Sequence, residues 1–557
     1  MKKIGLYLAL SLIFNCAKAQ APAWSWAESG NGSNDDGGGS VCTDAWGNVY
    51  VTGSSNSNPV KFLPFSLANA GGYDIILVKY RPNGTVIWAR SAGGTGDESG
   101  TSICTDPSGN VIITGEFTSP SLTIGTTTLI NAGMTNIFTA KYDSAGNALW
   151  ARGGGGPFYD EPYGVVTDAK GNVIIAGSYS STNAVFGSDT LANYGSQNSF
   201  IVKYSSSGNL LWAKRSAWNN QTAGISALGI DHSGNLLITG NFTSAGASGN
   251  VGIDTIAVNG MFPISSSSNI FIAKLDTTGT ALWATGTNPD ANGSAIGSGI
   301  TSDLNNNIFV TGKFGGAYIV YGNDTIYMPA SSSLGNMFLV KFDPLGNALW
   351  TGTTAGASGG ATGTSVCTDA SGSSYVTGAI NGLNISFGPV IAGYLPYGYV
   401  VKYSSTGTPV WVKGIDGGLG GTALTTDPAN NIVVTGAYQT DTATFDSFKL
   451  LNACLGCNNS DLYVAKLGNL VTAINENKPG SKMNVYPNPA SDFFTVSFGS
   501  EQQNTLLEIL DVTGNRLRVV RFSGIDYKLE RGHLPPGVYL IRVITTDEVL
   551  VRQIILQ

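Results

Sequence analysis

The stretch Thr105-Asp106-Pro107-Ser108-Gly109-Asn110-Val111-Ile112-Ile113-Thr114-Gly115 recurs, with variations, seven times along the chain. The anchoring acids are Asp44, Asp106, Asp168, Asp231, Asp303, Asp369 and Asp427, spaced by 62, 62, 63, 72, 66 and 58 residues. Each leads through a Gly or Asn turn and an aliphatic run to a near-constant glycine, such as Gly53, Gly115 or Gly177. A period this long, with a strand–turn–strand unit inside it, is the signature of a propeller or a solenoid. The Asp carboxylate caps the turn, and Gly or Asn takes its positive-φ position.

Outward from that stretch, each unit holds four strand signals. In the second copy they are Thr101 to Thr105, Val111 to Gly115, Ile137 to Tyr142 and Ala148 to Arg152. A variable Ser/Thr/Asn-rich loop separates the second from the third. Four short β-rich strands bounded by turns predict an antiparallel propeller blade. The third strand carries a recurrent lysine: Lys79, Lys141, Lys203, Lys274, Lys341, Lys402 and Lys466. The fourth carries Trp88, Trp150, Trp212, Trp283, Trp350 and Trp411, so the last unit lacks its tryptophan. Trp26 supplies it from the other end, standing 18 residues before Asp44 as Trp88 does before Asp106. The first strand is therefore expected to complete the last blade and remove both open sheet edges. Residues needed in every copy are folding requirements: the Asp column caps turns, the Trp column packs blades, and the Lys column lays its stem on the sheet and pairs locally.

These motifs resemble the bacterial SBBP beta-propeller repeat, with its Asp-x-x-Gly-Asn turn and Lys-bearing strand, over Ala23 to Gly468. Asn306 and Asn430 replace the turn glycine in two copies, a change the same backbone tolerates. The resemblance implies a propeller and no particular activity. After Gly468 the pattern stops. The tail carries Tyr486-Pro487-Asn488-Pro489, the turn Asp511-Val512-Thr513-Gly514-Asn515, the strand Leu534 to Val543 and a final strand with Arg552. It resembles a type A C-terminal sorting domain of the type IX secretion system. That resemblance implies passage across both membranes of a Gram-negative cell, handling by the type IX machinery, and release or surface attachment.

The reading is thus an all-β chain: a signal peptide over 1–19, a seven-bladed β-propeller of four-stranded blades over 20–468, a linker over 469–483 and a small Ig-like β-sandwich over 484–557. Lys2 and Lys3, the apolar run from Ile4 to Phe14, and Ala17-Lys18-Ala19 are the parts of the signal. Cys16 has a poor lipobox context. No later run is long enough for a transmembrane helix.

Composition narrows the function. Net charge is −7 and charged residues are 12%, which argues against a nucleic-acid partner. The two histidines, His232 and His533, lie in different domains, and no metalloprotease, serine-hydrolase, phosphate-loop or dinucleotide motif is present. No catalytic residue and no required cofactor is assigned. The expectation is an exported, non-catalytic binding or adhesion propeller for a surface glycan or protein. The alternative is a carbohydrate-active enzyme with paired carboxylates at the channel mouth. Cys454 and Cys457 are expected to form a local disulfide, and Cys42, Cys104 and Cys367 to be buried free thiols. One asymmetry stands out: Asp36, Glu98 and Asp160 each lie eight residues before their repeat Asp, where the other units have Ala223, Ala295, Ala361 and Leu419. With Asp35, Asp97 and Glu161 as helpers, they are expected to form an arc at the channel mouth that takes calcium or another cation.

Overall fold

In the computed structural model, the described residues are 21–557 except 194, 218–221, 244–250, 254–255, 259–267, 290–292, 317, 322–323, 328–334, 356–358, 383–384, 392–396, 455, 469–482, 512–515, 533 and 545–548. The signal segment with Cys16, nearly all of the expected linker, part of the Asp511–Asn515 turn, and His533 lie outside them. The chain divides into two compact units, Met1–Asn469 and Leu470–Gln557. All assigned elements are β-strands, and no helix of the described residues is long and apolar enough to cross a membrane.

The first unit is a β-propeller. Its repeats fold into seven four-stranded antiparallel groups, numbered here as blades 1 to 7. Blade 2 is typical: inner strand Glu98–Thr105, then Val111–Phe117, Asn136–Tyr142 and outer strand Ala148–Gly155. The third strand is buried along its whole length. Neighbouring inner strands lie side by side, and the inner strand of blade 7, Gly418–Thr426, lies beside that of blade 1, Asp36–Thr43. Blade 7 takes its outer strand from the other end of the unit. Trp24–Gly30 pairs antiparallel with Asp461–Leu467, placing Trp26 opposite Lys466. The expected closure by the first strand is thus present.

The repeat turn follows from its residues. Asp106 Oδ1 accepts from the Ser108 and Asn110 backbone N–H groups, both at 2.9 Å. Its Oδ2 accepts from Asn110 Nδ2 and from Lys141 Nζ, both at 2.8 Å. Gly109 sits at φ +80°, and Asn306 and Asn430 take the same left-handed position at +63° and +59°. Burial alone would raise the Asp106 pKa; the hydrogen bonds from Lys141 and Asn110 more than offset it and hold the carboxyl below its usual range. The Asp and Lys columns are therefore one repeated buried ion pair. It recurs at Asp168–Lys203, Asp231–Lys274, Asp303–Lys341, Asp369–Lys402 and Asp427–Lys466, at 2.7–3.3 Å. In blade 1 the Tyr50 hydroxyl donates to Asp44, and Lys79 lies 4.9 Å over the Tyr50 ring.

The same lysines and the tryptophans pin each blade to the next. Lys141 Nζ and Trp150 Nε1 both donate to the Ser206 carbonyl of blade 3, at 3.1 and 3.2 Å. Lys466 and Trp26 share the Pro82 carbonyl of blade 1 in the same way. Gly208, in that turn of blade 3, sits against the Trp150 ring so closely that a Cβ would fall 2.8 Å from it.

The loop expected between the second and third strands is largely a β-hairpin. In blade 3 it comprises Asn183–Phe186 and Asp189–Ala192, and Val185 and Phe186 pair back onto the outer strand of blade 2.

The second unit is a five-stranded antiparallel sheet. A 19-residue strand, Phe493–Asp511, pairs with Met483–Tyr486, Arg516–Glu530 and Gly537–Ile544, with register breaks between Ser497 and Thr505; Gly537–Ile544 carries the last strand, Val549–Leu556. Phe494, Val496, Leu507, Ile509, Ile541, Val543 and Ile554 form its core.

Candidate functional site at the channel mouth

Every inner strand carries an unpaired extra residue at the same place, and that of blade 7 has a second, Leu419. The pairing register slips between Gly38 and Ser40, Gly100 and Ser102, Pro162 and Gly164, Ile225 and Ala227, Gly297 and Gly299, Gly363 and Ser365, and Gly421 and Ala423. A bulge of this kind re-aims the side chain of its extra residue. The extra residues are Gly39, Thr101, Tyr163, Ser226, Ser298, Thr364 and Thr422, and all of them line one central cavity of about 180 Å³. Six are small, and five of those are hydroxyls. Tyr163 of blade 3 is the exception.

Alternation along a strand puts residues i and i+2 on one face. In blade 3 the row leading into the cavity is therefore Tyr159, Glu161 and Tyr163. The matching rows are Asp35-Gly37-Gly39, Asp97-Ser99-Thr101, Ser294-Ile296-Ser298 and Gly360-Thr362-Thr364. Tyr159 and Tyr163 are 55% and 40% exposed, and neighbouring Phe158 is 43% exposed. The Tyr163 hydroxyl donates to Glu161 and also bonds Ser178, while Gln197 Nε2 donates to Ser178 Oγ at 3.0 Å. Burial, then the Glu161 hydrogen bond and charge, raise the Tyr163 pKa, so the phenol stays protonated. Glu116, half-buried on blade 2, feels the same carboxylate; burial first and Glu161 second push its pKa up.

The acids expected at the mouth are placed differently. Asp36, Glu98 and Asp160 are buried to 0–1% exposure, each inside its own blade. Asp160 accepts from Gly156 N at 2.6 Å and Ser181 Oγ at 2.7 Å, Glu98 from Gly94 N at 2.7 Å and Ser119 N at 3.1 Å, and Asp36 from Ser57 Oγ at 3.0 Å. They tie the link entering the inner strand to the end of the second strand. Of the helpers, Asp35 and Asp97 stand at the outer end of their rows and are engaged across a blade boundary, Asp35 accepting from Ser460 of blade 7 and Asp97 from Tyr73 of blade 1, whereas Glu161 stands in the middle of its row beside Tyr163. Among the described residues no three His, Cys, Asp or Glu side chains converge as a metal-holding group. The arc of carboxylates facing the channel is replaced by buried braces, because each acid finds its hydrogen-bond donors within its own blade. Cys454 and Cys457 form a disulfide in the blade 7 loop; of the free thiols Cys367 is buried, and Cys42 and Cys104 are half-buried.

Acids cluster eight residues before the repeat Asp in three copies. The row on the opposite face, five, seven and nine residues before, carries the stronger break in symmetry. Its signal was available in the sequence, as two tyrosines flanking a glutamate where no other copy has an aromatic residue or a glutamate. Glu116 joins them only through folding.

Residues 484–557 match a family described as a secretion system C-terminal sorting domain. The tail is a secretion sorting domain. It marks the chain as a type IX secretion cargo, secreted or attached to the surface of a Gram-negative bacterium. Over 203 residues the chain is 33% identical to an uncharacterized WD repeat-containing protein of Acanthamoeba polyphaga mimivirus, covering 31% of this chain and 14% of that protein. The chain thus spans only a small part of that relative. Solved structures that align with the chain include PorZ, a surface component of the type-IX secretion system of Porphyromonas gingivalis, at 11% identity, 95% and 100% coverage and a TM-score of 0.17. The extracellular domain of the putative hybrid two component system BT4673 of B. thetaiotaomicron aligns at 10% identity, 93% and 74% coverage and a TM-score of 0.22. A family 32 glycoside hydrolase of Bifidobacterium adolescentis aligns at 9% identity, 96% and 95% coverage and a TM-score of 0.21.

Proposed function

We propose that this chain is an exported, non-catalytic binding propeller of the SBBP repeat type, with a signal peptide over 1–19, which presents a glycan-binding site on blade 3. The observation that carries the reading is the Tyr159–Glu161–Tyr163 row, which breaks the symmetry of the channel at its mouth. Tyrosine rings offer apolar faces with a polar tip, suited to the C–H faces of a sugar. Glu161 and Glu116 accept hydrogen bonds from ligand hydroxyls, and Thr101 and Ser226 flank the row with hydroxyls of their own. The Glu116–Glu161 pair also favours a second reading, glycoside cleavage, in which Glu116 with its raised pKa holds the proton of the general acid.

A glycan array probed with the whole exported protein tests both. The parent is expected to bind a subset of neutral glycans, and Tyr163→Ala and Glu161→Gln to lose at least tenfold in affinity on the same glycans. Equal binding by parent and both variants overturns the site. Shortening of bound glycans by the parent, abolished in Glu116→Gln, would replace the binding reading with the enzymatic one.

A further inference from the structure

The third strand of every blade opens on an equivalent residue, five before the recurrent lysine: Asp461, Asp74, Asn136, Asn198, Asn269, Asn336 and Tyr397. In blades 7, 1 and 2 it is buried at the junction with the next blade, where the residue before it accepts from the backbone opening the neighbouring inner strand; Tyr397 of blade 6 is exposed. Ser460 O accepts from Asp36 N and Tyr73 O from Glu98 N, both at 2.6 Å, and Thr135 O accepts from Asp160 N at 3.1 Å.

Asn136 shows what the niche asks for. With the amide in the orientation that satisfies its neighbours, its oxygen accepts from Ala132 N at 2.9 Å, and its nitrogen donates to the carbonyls of Thr135 and Gly156 at 3.1 and 2.8 Å. The niche offers one donor and two acceptors. Asp74 enters the same niche. Its Oδ2 accepts from Ala70 N at 2.8 Å, as the Asn136 oxygen does from Ala132. Its Oδ1 takes the place of the amide nitrogen; it is buried without a hydrogen-bond partner, and a Cβ built on Gly93 would stand 2.0 Å from it. Asp461 repeats the pattern at the closing junction. Its Oδ2 accepts from Ala453 N at 2.9 Å and from the Tyr438 hydroxyl at 3.4 Å, and its Oδ1 is buried without a partner. An ionised carboxylate has no proton to donate to carbonyls. Asp74 and Asp461 are themselves 3% and 1% exposed.

We propose that Asp74 and Asp461 are held as neutral carboxylic acids that stand in for asparagine, so that the blade 1–2 and blade 7–1 junctions are locked by a proton. Among the described residues, the groups facing them supply no cation. Asp461 faces Asp36, the Tyr438 hydroxyl and the Gly32 N–H; Asp36 faces Asp461, Ser55 and Ser57, with Asp35 and Tyr73 beside it; Asp74 faces Glu98. At the closing junction Asp36 Oδ1 is likewise buried without a partner, so Asp36 and Asp461 titrate as a pair. Burial, the largest cause, raises all three carboxyls, and Asp36 is pushed up to about 7. A raised folded pKa means that the folded state holds its proton longer than the unfolded chain, whose aspartates ionise near ~3.9. The closing junction therefore contributes fully below about pH 4 and loses strength as pH rises toward and through about 7, where Asp36 titrates; the blade 1–2 junction weakens in the same direction as Asp74 ionises.

Thermal unfolding of the whole protein from pH 4.5 to 8.5, with calcium or a chelator present, tests the lock. Asp461→Asn and Asp74→Asn are expected to match the parent in acid and to exceed its Tm at the alkaline end by roughly 2–4 °C each. The reciprocal Asn136→Asp, which places an acid beside Asp160, is expected to lose Tm as pH rises. The parent at neutral pH should show the infrared C=O stretch of a protonated carboxyl, a readout independent of how the variants fold. Identical pH slopes in parent and asparagine variants overturn the proposal, as does absence of the protonated-carboxyl band. An Asp461-dependent rise in Tm on adding calcium at alkaline pH overturns it in favour of a buried cation.

Discussion

Lys141 does three things at once, and its neighbours explain why the repeat keeps it. It neutralises Asp106, donates to the Ser206 carbonyl of the next blade, and is itself buried to 3% exposure. Replacing it with methionine keeps the stem but leaves a buried, uncompensated carboxylate. The expected cost is about 3–5 kcal/mol, measured by denaturant unfolding against the parent; a loss below about 1 kcal/mol would mean that the pair is dispensable. Both columns were visible in the sequence, but their union was not, because the partners come from different strands of the blade. The acids were misplaced for a related reason. Asp36, Glu98 and Asp160 are recognisable by position, whereas their burial depends on Ser57, Ser119 and Ser181 from the far end of the second strand. Those serines recur thirteen residues after Asp44, Asp106 and Asp168, a matching pattern that could have linked them.

At the scale of elements, the inserted hairpins solve a problem that four-stranded blades create. The outer strand of each blade is a free edge, and a free edge invites pairing with another chain. The hairpin of blade 3 covers that of blade 2 through Gly154–Phe186 and Gly155–Val185, and the hairpins of blades 4, 5 and 6 pair with the outer strands of blades 3, 4 and 5. Gly154 makes the approach possible, since a Cβ there would meet the Phe186 ring at 2.4 Å. Replacing 183–192 by a short turn should leave the blade monomer-competent in its core but sticky along Ala148–Gly155. Light scattering is expected to show association, and a monodisperse monomer would refute the role. These hairpins read as loops in the sequence because their strands run only two to four residues, too short for alternation to register. The four main strands of each blade, bounded by turn residues, were legible throughout.

At the scale of the whole molecule, the ring has one irregular junction. Every other blade pins itself to the turn joining the third and outer strands of its neighbour. Blade 7 has no such turn, because Asp461–Leu467 and Trp24–Gly30 come from opposite ends of the propeller. Lys402 of blade 6 accordingly stays within its own blade, pairing with Asp369 at 3.3 Å and lying over the Tyr375 ring, and is the most exposed lysine of the repeated ion pairs. A different contact spans the gap: Asp446, in the hairpin turn of blade 7, accepts from Lys413 Nζ of blade 6 at 2.6 Å and from the Trp24 backbone N–H at 2.9 Å. Deleting Ala23 to Ser29 removes the outer strand of blade 7 and the Trp24 end of this contact together. The expected result is aggregation and a lower melting temperature; an unchanged, monomeric product would show that the ring holds without the strand. The closure was legible because a missing tryptophan could be counted. The substitute contact at Asp446 was not, because it exists in a single copy.

The Gly468 N–H donates to the Ala23 carbonyl at 3.0 Å, so the two ends of the propeller's covalent path already touch. A loop such as Asp143-Ser144-Ala145-Gly146-Asn147 would bridge them with the geometry used elsewhere, and any equivalent loop could be cut in exchange. Where the polypeptide starts is thus a convention of translation, not of architecture: the propeller is a circular permutation series written out in one of its possible frames.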